Sequence, residues 1–417
     1  MTGAFFHPSA LPRLLAVFLM GALALASPVA AEMNPDWDDP ELHMCGPFDG
    51  LTPSIDEFRQ ALTDHSRWMQ LLEKGSVEWA DPRRANLCNA NLSGMGVRDA
   101  NLVRANLRGA NLTGAQLPGA TMDLADFSGA NLTRTNLNGA SLREAKFTGA
   151  RMHRTNLDNS DLTNAHLSDA DLTGATALSA NMTGAEFWRA RLTRADLRGN
   201  LSHAILNRAI FDGANLSGAT LERASVAGSD LSRANLLGAN LSGAYLSGSN
   251  LNGLNLADVK LFQADLTDAS LVNTDLRGAD LFRATLVHVS AEGVNLSGAD
   301  LRGADLTEAD LRRASMVNAN MKGVFIWRGA NLSHANLMGA DLSEAVINHL
   351  VDEGAPEAVF LADARGLESI QYLRKDGLIA MRRVLRSGGH NGAADRINLS
   401  IRDGSKPVHP LMMHYLQ

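Results

Sequence analysis

The strongest constraint on the fold is a five-residue spacing of apolar side chains. In the stretch ANLTGAQLPGATMDLADFSGANL (110–132), the apolar centres are Leu112, Leu117, Met122, Phe127 and Leu132. A spacing of five matches neither the 3.6-residue period of a helix nor the two-residue alternation of a strand. The spacing therefore indicates a larger repeating unit, and that unit recurs through most of the chain.

The unit has the form Ala-(Asn/Asp)-Leu-X-X and occurs about 53 times. Its centres run from Leu87 to Leu197, from Leu201 to Ile326 and from Leu332 to Ile347. If the chain turns roughly 90° per unit, the centre and the residue two before it both face the inside of a narrow tube. Gly, frequent two residues after the centre, suits a corner with positive φ. Four units make one coil of about 20 residues, which predicts about 13 coils.

Three details of the array support the tube. The undersized centre Ala291 has the larger Val289 two residues before it, so the inward volume is conserved. The array breaks phase near Gly199–Asn200 and at Trp327–Gly329, and apolar centres resume at once on each side, so we expect one continuous tube. A column of large inward side chains recurs every 20 residues, at Phe127, Phe147, Leu167 and Phe187.

With these units in view, residues 85–347 resemble the pentapeptide-repeat family. The resemblance implies an all-β solenoid, a right-handed quadrilateral parallel β-helix, here with helical N- and C-terminal caps. It predicts the fold far better than the function, because the repeat residues are structural. Some family members resemble DNA in shape and charge and bind topoisomerases, and a DNA mimic of that kind is the alternative function.

The N-terminus has the pattern of a secretory signal peptide over residues 1–31. Arg13 is followed by the apolar run LLAVFLMGALALA (14–26) and then by the small residues of SPVAAE (27–32). This run is shorter than the about 20 residues of a transmembrane helix, although an uncleaved anchor is the alternative. We expect cleavage near Ala31–Glu32, a periplasmic or secreted protein, and no membrane span in the mature chain.

Residues 32–84 form a predicted N-terminal helical cap region. Ser54 and Glu57 fit a capping box at the start of a helix that we expect to end at Gly75. His65 and Trp68 match a His-x-x-Trp pattern in the helix that precedes the array in many family members. We expect both to pack against the first coil, and a ligand role for His65 is the alternative.

Residues 348–417 leave the five-residue period and form a predicted helical C-terminal region. The expected helices are LESIQYLRK (367–375) and GLIAMRRVLRSGG (377–389). We expect them to cap the last coil, because an open β-helix end exposes unpaired backbone groups. In some relatives a helical end also forms a dimer, so a homodimer through this region is a further prediction.

Charge and motif patterns favour a binding scaffold over an enzyme. Residues 85–347 contain 25 acidic and 23 basic residues, without the single-sign field of a nucleic-acid binder or its mimic. The 12 His never fall at zinc-ligand spacings, and no Gly-rich phosphate motif precedes a helix. The sequence therefore predicts no catalytic, metal or cofactor site, no cofactor, no nucleic acid as partner, and a rigid surface that binds a protein or an anionic glycan.

One set of surface residues is a candidate interaction face. Arg134, Arg154 and Arg194 occupy the same corner position, and Arg233 falls on the same face once the missing residue is corrected. A column about 25 Å long could hold an anionic partner. Chance is the alternative, since Gly174 and Gly213 interrupt the row.

The two cysteines of the chain, Cys45 and Cys88, form a candidate disulfide. Secretion would place both in an oxidising compartment, where an even cysteine count usually means pairing. Cys88 follows the centre Leu87 and should point out of the first coil, towards a cap that folds back over it. Two free thiols are the alternative, because Cα atoms more than about 7 Å apart cannot be bridged.

Overall fold

The computed structural model describes residues 47–73, 85–326 and 330–347, with the backbone of 371–372. The predicted signal peptide, Cys45 and most of the predicted C-terminal region lie outside the described residues. The regular elements, in chain order, are helix α1 (Ile55–Glu73) and strands β1 (Phe325–Ile326), β2 (Val346–Ile347) and β3 (Gln371–Tyr372).

Between α1 and β1 the chain forms stacked coils joined by parallel bridges. Residues 20 apart are paired, so that Asn86 bridges to Asn106 and Asn106 to Asp126. The bridging residue is the outward one just before each centre, and each coil pairs with the coils above and below. The chain is thus the right-handed quadrilateral parallel β-helix that the resemblance implies, and the spacing correctly predicts its coils of 20 residues. We number its four faces by their first central residues, which are Leu87 (face 1), Leu92 (face 2), Val97 (face 3) and Leu102 (face 4).

The core consists of the two inward positions of each repeat, as predicted: the apolar centre and the small residue two before it. Phe127 and Phe147 stack with ring centroids 4.8 Å apart and planes 3° from parallel. Leu167 and Phe187 are fully buried in the same column. Ala291 and Val289 are both buried, which confirms the exchange of volume between these two positions. Burying each large side chain contributes about 1.5–3 kcal/mol to the free energy of unfolding.

Some inward positions carry a hydroxyl in place of Ala, and the coil satisfies it. The Thr135 hydroxyl donates to the Leu112 carbonyl at 2.7 Å, and the Thr155 hydroxyl donates to the Leu132 carbonyl at 2.7 Å. A buried hydroxyl costs little when it is hydrogen-bonded, so Thr and Ser are tolerated inside the tube.

The first phase break is absorbed at a corner and the tube continues, as predicted. Asn181 bridges to Asn200, only 19 residues away, and pairing continues beyond the break. The Gly199 N–H donates to the Leu197 carbonyl at 2.8 Å, which closes a tighter turn. A Cβ atom on Gly199 would clash with the Ala180 carbonyl oxygen, so the shortened corner requires glycine.

At the second break, parallel pairing also resumes. Asp310 bridges to Asn331, and β1 pairs in parallel with β2. Residues 327–329, which contain the break, lie outside the described residues. Strand β3 then pairs in parallel with β2.

The predicted helix 367–375 is therefore wrong at Gln371–Tyr372. The backbone there takes up the hydrogen-bonding edge that the last coil would otherwise leave unpaired.

At the N-terminal end, α1 begins with the predicted capping box. The Ser54 N–H donates to Glu57 Oε2 at 2.7 Å, and the Glu57 N–H donates to Ser54 Oγ at 3.2 Å. His65 and Trp68 are fully buried and their rings stack with centroids 5.2 Å apart. His65 Nδ1 accepts a hydrogen bond from the Ala85 N–H at 3.1 Å, so His65 contacts the start of the array as the packing prediction requires.

Candidate interaction face

The predicted arginines lie on face 2, two residues after the centre. Arg134, Arg154 and Arg194 have φ values of 57°, 53° and 54°, and their side chains are exposed. Backbone hydrogen bonds link consecutive coils here, with the Arg134 N–H donating to the His153 carbonyl at 2.8 Å and the Arg154 N–H to the Thr173 carbonyl at 3.0 Å. Adjacent positions in this column are therefore separated by one strand spacing, about 4.8 Å.

The fourth arginine differs from the other three. Arg233 lies on the same face and its side chain is exposed, but it is not among the residues with positive φ. Its Nε lies 3.1 Å from Asp212 Oδ1. Among the described residues, Arg134, Arg154 and Arg194 form no ion pair. The structure thus separates the predicted column into three unpaired arginines and one arginine held by a neighbouring carboxylate.

Two further arginines and a histidine extend this group. Arg151 and Arg191 lie on the strand positions of face 2, where each bridges to Asp171. Asp171 Oδ2 lies 2.8 Å from His153 Nε2 and 3.7 Å from Arg191 Nε. We call the following set the arginine face: Arg134, Arg151, His153, Arg154, Asp171, Arg191 and Arg194.

The one carboxylate of the arginine face is well accommodated. Partial burial of Asp171 opposes its ionised form, but hydrogen bonds from Thr173 and His153 outweigh burial and lower its pKa. The arginine face thus contains five arginines and a single ionised aspartate, and its net charge is positive. Sequence reasoning missed Arg151 and Arg191, although RMHR (151–154) and RLTR (191–194) repeat the same spacing 40 residues apart.

Of the two cysteines in the candidate disulfide, the structure describes Cys88. Cys88 is 4% exposed, whereas the equivalent position one coil later, Arg108, is half-buried. Near it, the Asn89 side chain donates to Asp49 and the Asn91 side chain donates to Thr52, both at 2.9 Å. The segment before α1 therefore lies against the first coil. Cys45 lies outside the described residues, and its pairing with Cys88 stays a prediction.

The described parts of the chain lack two other kinds of feature. No group of three or more His, Cys, Asp or Glu residues there could hold a metal ion. No helix in those parts combines the length and apolar character needed to cross a membrane.

Comparison with known proteins identifies the repeat. The sequence model described as "Pentapeptide repeats" matches in eight copies, which together span more than half of the chain. The copies cover 97–129, 125–164, 160–199, 200–233, 227–261, 260–298, 292–327 and 325–349. No curated protein sequence gave a significant match.

Solved structures similar to this chain are also pentapeptide-repeat proteins. HetL, involved in heterocyst differentiation regulation in the cyanobacterium Nostoc sp. strain PCC 7120, is 28% identical, with 60% of this chain and 96% of HetL covered and a TM-score of 0.24. A protein of the Arabidopsis thaliana thylakoid lumen is 29% identical, with coverage of 26% and 72% and a TM-score of 0.24. QnrB1, a plasmid-mediated fluoroquinolone resistance protein, is 19% identical, with coverage of 54% and 92% and a TM-score of 0.21. These superpositions carry no functional conclusion for this chain.

Proposed function

The chain belongs to the pentapeptide-repeat family, and we propose that it is a non-catalytic scaffold, periplasmic or secreted, that binds an anionic protein or glycan. The observation that carries the proposal is the arginine face. Arg134, Arg154 and Arg194 are exposed and form no ion pair within the described residues. Their guanidinium groups present planar pairs of N–H donors that match carboxylate, sulfate and phosphate oxygens.

The rigidity of the coil supports binding by this face. Each arginine is attached to a backbone position held by hydrogen bonds to the next coil. The backbone positions of these arginines are therefore fixed at separations of about 4.8 Å, or multiples of it, in the unbound protein. A preorganised surface loses less conformational entropy on binding than a flexible one.

The signal-peptide pattern of residues 1–31 supports a periplasmic or secreted location. The alternative, a DNA mimic that binds a topoisomerase, would need an acidic face of comparable length. The arginine face, which lies on face 2, is positively charged, opposite to the acidic surface that a DNA mimic needs. The scaffold that binds an anionic partner is therefore the better-supported function.

The experiment compares binding by three forms of the full-length mature protein. Immobilised polygalacturonate serves as a carboxylated glycan probe, and periplasmic extract serves as the source of protein partners. The quadruple variant R134Q/R154Q/R194Q/R233Q should bind the probe or retain its protein partner at least about tenfold more weakly than the wild type. The matched control R98Q/R143Q/R208Q/R277Q removes the same charge from other faces and corners and should bind as the wild type does.

Equal binding by both quadruple variants and the wild type would contradict the role of the arginine face. The location is tested separately, by the mass of the mature N-terminus and by cell fractionation. Protein recovered from the cytoplasm with residues 1–31 still attached would contradict the periplasmic or secreted location.

A further inference from the structure

Face 4, which lies opposite the arginine face, carries an aromatic pair on the outside of the tube. Phe262 and Phe282 occupy the outward position after the centre in consecutive coils. Their ring centroids are 5.7 Å apart and their planes 14° from parallel. Phe262 is 38% exposed, although aromatic side chains normally contribute to a core or an interface. Two stacked phenylalanines outside a tube that already has a complete core are not needed for folding.

The far side of this pair is closed by arginines. The guanidinium carbons of Arg283 and Arg302 each lie 5.1 Å from the centroid of the Phe282 ring. Arg302 is fixed there by Asp300, with Nε–Oδ1 and Nη2–Oδ2 distances of 2.8 and 2.6 Å. Phe282 is thus held in a cation–π contact on one side and an aromatic stack on the other.

The near side of the pair faces small residues. One coil before Phe262, the equivalent position is Ser242, whose hydroxyl donates to Asn240 Oδ1 at 2.7 Å. The corner beside it is Gly243, and the stem of Arg223 extends over this glycine, with Arg223 Cγ 3.2 Å from the point where a Cβ atom on Gly243 would be. Two coils before Phe262 the position is Glu222. The coils of Glu222 and Phe262 are two strand spacings, about 9.6 Å, apart. The short Ser242 side chain in the coil between them therefore leaves a notch that a single aromatic ring would fill. We call the set of Glu222, Ser242, Gly243 and Phe262 the notch.

The charges around the notch indicate the sign of its partner. Arg223, Lys260 and Arg283 are exposed, and none of them forms an ion pair within the described residues. Lys260 precedes Phe262 by two residues on the same face. Arg223 lies at the corner two coils before Phe262, and Arg283 lies at the corner one coil after it. Glu222 is already engaged, since its Oε1 accepts a hydrogen bond from Asn240 Nδ2 at 2.6 Å. The unpaired charges therefore favour carboxylates on the partner.

The orientation of the rings selects the class of partner. Phe262 and Phe282 lie in consecutive coils with nearly parallel rings, so each ring covers one face of the other, and the face of Phe262 that remains is the one towards Ser242. A glycan that stacks sugars on aromatic rings needs faces directed outward, whereas a single protruding side chain can enter the notch. We propose that face 4 docks an acidic segment of a partner protein, whose aromatic side chain fills the notch against Phe262 and whose carboxylates pair with Arg223, Lys260 and Arg283.

The test uses the full-length mature protein and peptides displayed at high density on a biosensor surface. The probe is Gly-Asp-Glu-Trp-Glu-Asp-Gly, with versions in which the tryptophan is alanine or the four acids are their amides. We expect wild-type protein to bind the probe, and either change in the peptide to weaken binding at least about tenfold. Failure of the wild type to bind the probe, or equal binding to the alanine peptide, would overturn the proposal.

Two protein variants locate the binding. Phe262→Ala removes the ring against which the aromatic side chain stacks, and Ser242→Phe fills the notch with a side chain of the protein itself. Both should weaken binding of the probe at least about tenfold, and Ser242→Phe should leave the fold intact because the position faces outward. Ser247→Phe makes the same change at the equivalent position of face 1 and should bind as the wild type does. Binding by Ser242→Phe at the wild-type level would exclude the notch, while the quadruple arginine variant should retain peptide binding.

Discussion

The Cγ atom of Arg154 lies 3.5 Å from the point where a Cβ atom on Gly174, one coil later, would be. Arg194 has the same relationship to Gly213, at 3.4 Å. The two glycines that interrupt the predicted arginine column are therefore the surface over which the preceding arginine stems extend. From Arg154 onward the column alternates arginine and glycine, and the glycines leave the guanidinium groups room to reach a partner.

This relationship predicts that two glycine substitutions differ in cost. Gly174→Ala meets only an ordinary contact, so its cost is that of an alanine at φ +66°, about 1 kcal/mol in the free energy of unfolding. Gly199→Ala places a Cβ atom in a clash with the Ala180 carbonyl oxygen and should lower the free energy of unfolding by about 3 kcal/mol. Urea unfolding followed by circular dichroism measures both. Equal losses would show that the shortened corner has room for a side chain.

The aromatic column inside the tube should be far more sensitive than apolar residues outside it. Phe147 is fully buried and stacks on Phe127, so Phe147→Ala should lower the free energy of unfolding by about 3–5 kcal/mol. Leu237 is 49% exposed, and Leu237→Ala should change it by less than about 0.5 kcal/mol. A loss for Leu237→Ala as large as that for Phe147→Ala would contradict the assignment of the two positions to surface and core.

Much of the tube could be predicted from the sequence because two inward positions in every five are restricted by size. The narrow interior admits Leu or Phe at the centre and Ala two residues earlier, and the same restriction allowed the exchange at Ala291 and Val289. Glycine indicates only part of the corners, because many residues other than glycine, Arg134 and Arg154 among them, also have positive φ at this position. Even the break at Gly199 was visible, since the apolar centres resume one residue early.

The surface could be predicted only in part, because outward positions vary freely. Arg134, Arg154 and Arg194 were found by their spacing, but the ion pair between Arg233 and Asp212 depends on how each side chain turns. The stacking of Phe262 on Phe282 depends on neighbours 20 residues apart. Strand β3 was missed for another reason, because pairing with an open edge is made by the backbone.

Ion pairs along the strands predict a loss of stability in acid. Asp196 accepts two hydrogen bonds from Arg198, Nε–Oδ1 at 2.8 Å and Nη2–Oδ2 at 2.7 Å, and this contact lowers the pKa of the Asp196 carboxyl. A carboxyl whose pKa is lower in the folded state stabilises that state above its unfolded pKa, about 3.9, and loses the contribution as the pH falls through the folded pKa.

We therefore expect the melting temperature to fall as the pH is lowered below about 4. NMR titration should show Asp196 protonating below the ordinary range in the wild type. Arg198→Gln should bring its pKa back towards the ordinary value. The Arg198→Gln substitution should not change the pKa of Asp275, because that pKa is lowered by Arg277 in a different coil. An Asp196 pKa that does not move in Arg198→Gln would contradict the role of this ion pair.

The last prediction is the disulfide between Cys45 and Cys88. Cys88 is nearly fully buried at a position that is more exposed in the next coil, and the described residues contain no free cysteine. The segment from Asp49 to Thr52 already contacts the first coil, which brings the chain just after Cys45 close to Cys88. Closing a loop of about 43 residues would stabilise the fold by about 4 kcal/mol on the chain-entropy account.

Mass spectrometry of unreduced, alkylated protein from the periplasm should show one cross-linked peptide pair and no alkylated thiol. Cys45→Ser and Cys88→Ser should lower the melting temperature by the same amount, and the double variant should lower it no further, because each change removes the same bond. Amide exchange should increase at Asn89 and Asn91, where the N-terminal segment contacts the first coil, before it increases in the central coils. Two alkylated thiols in the periplasmic protein would exclude the bond.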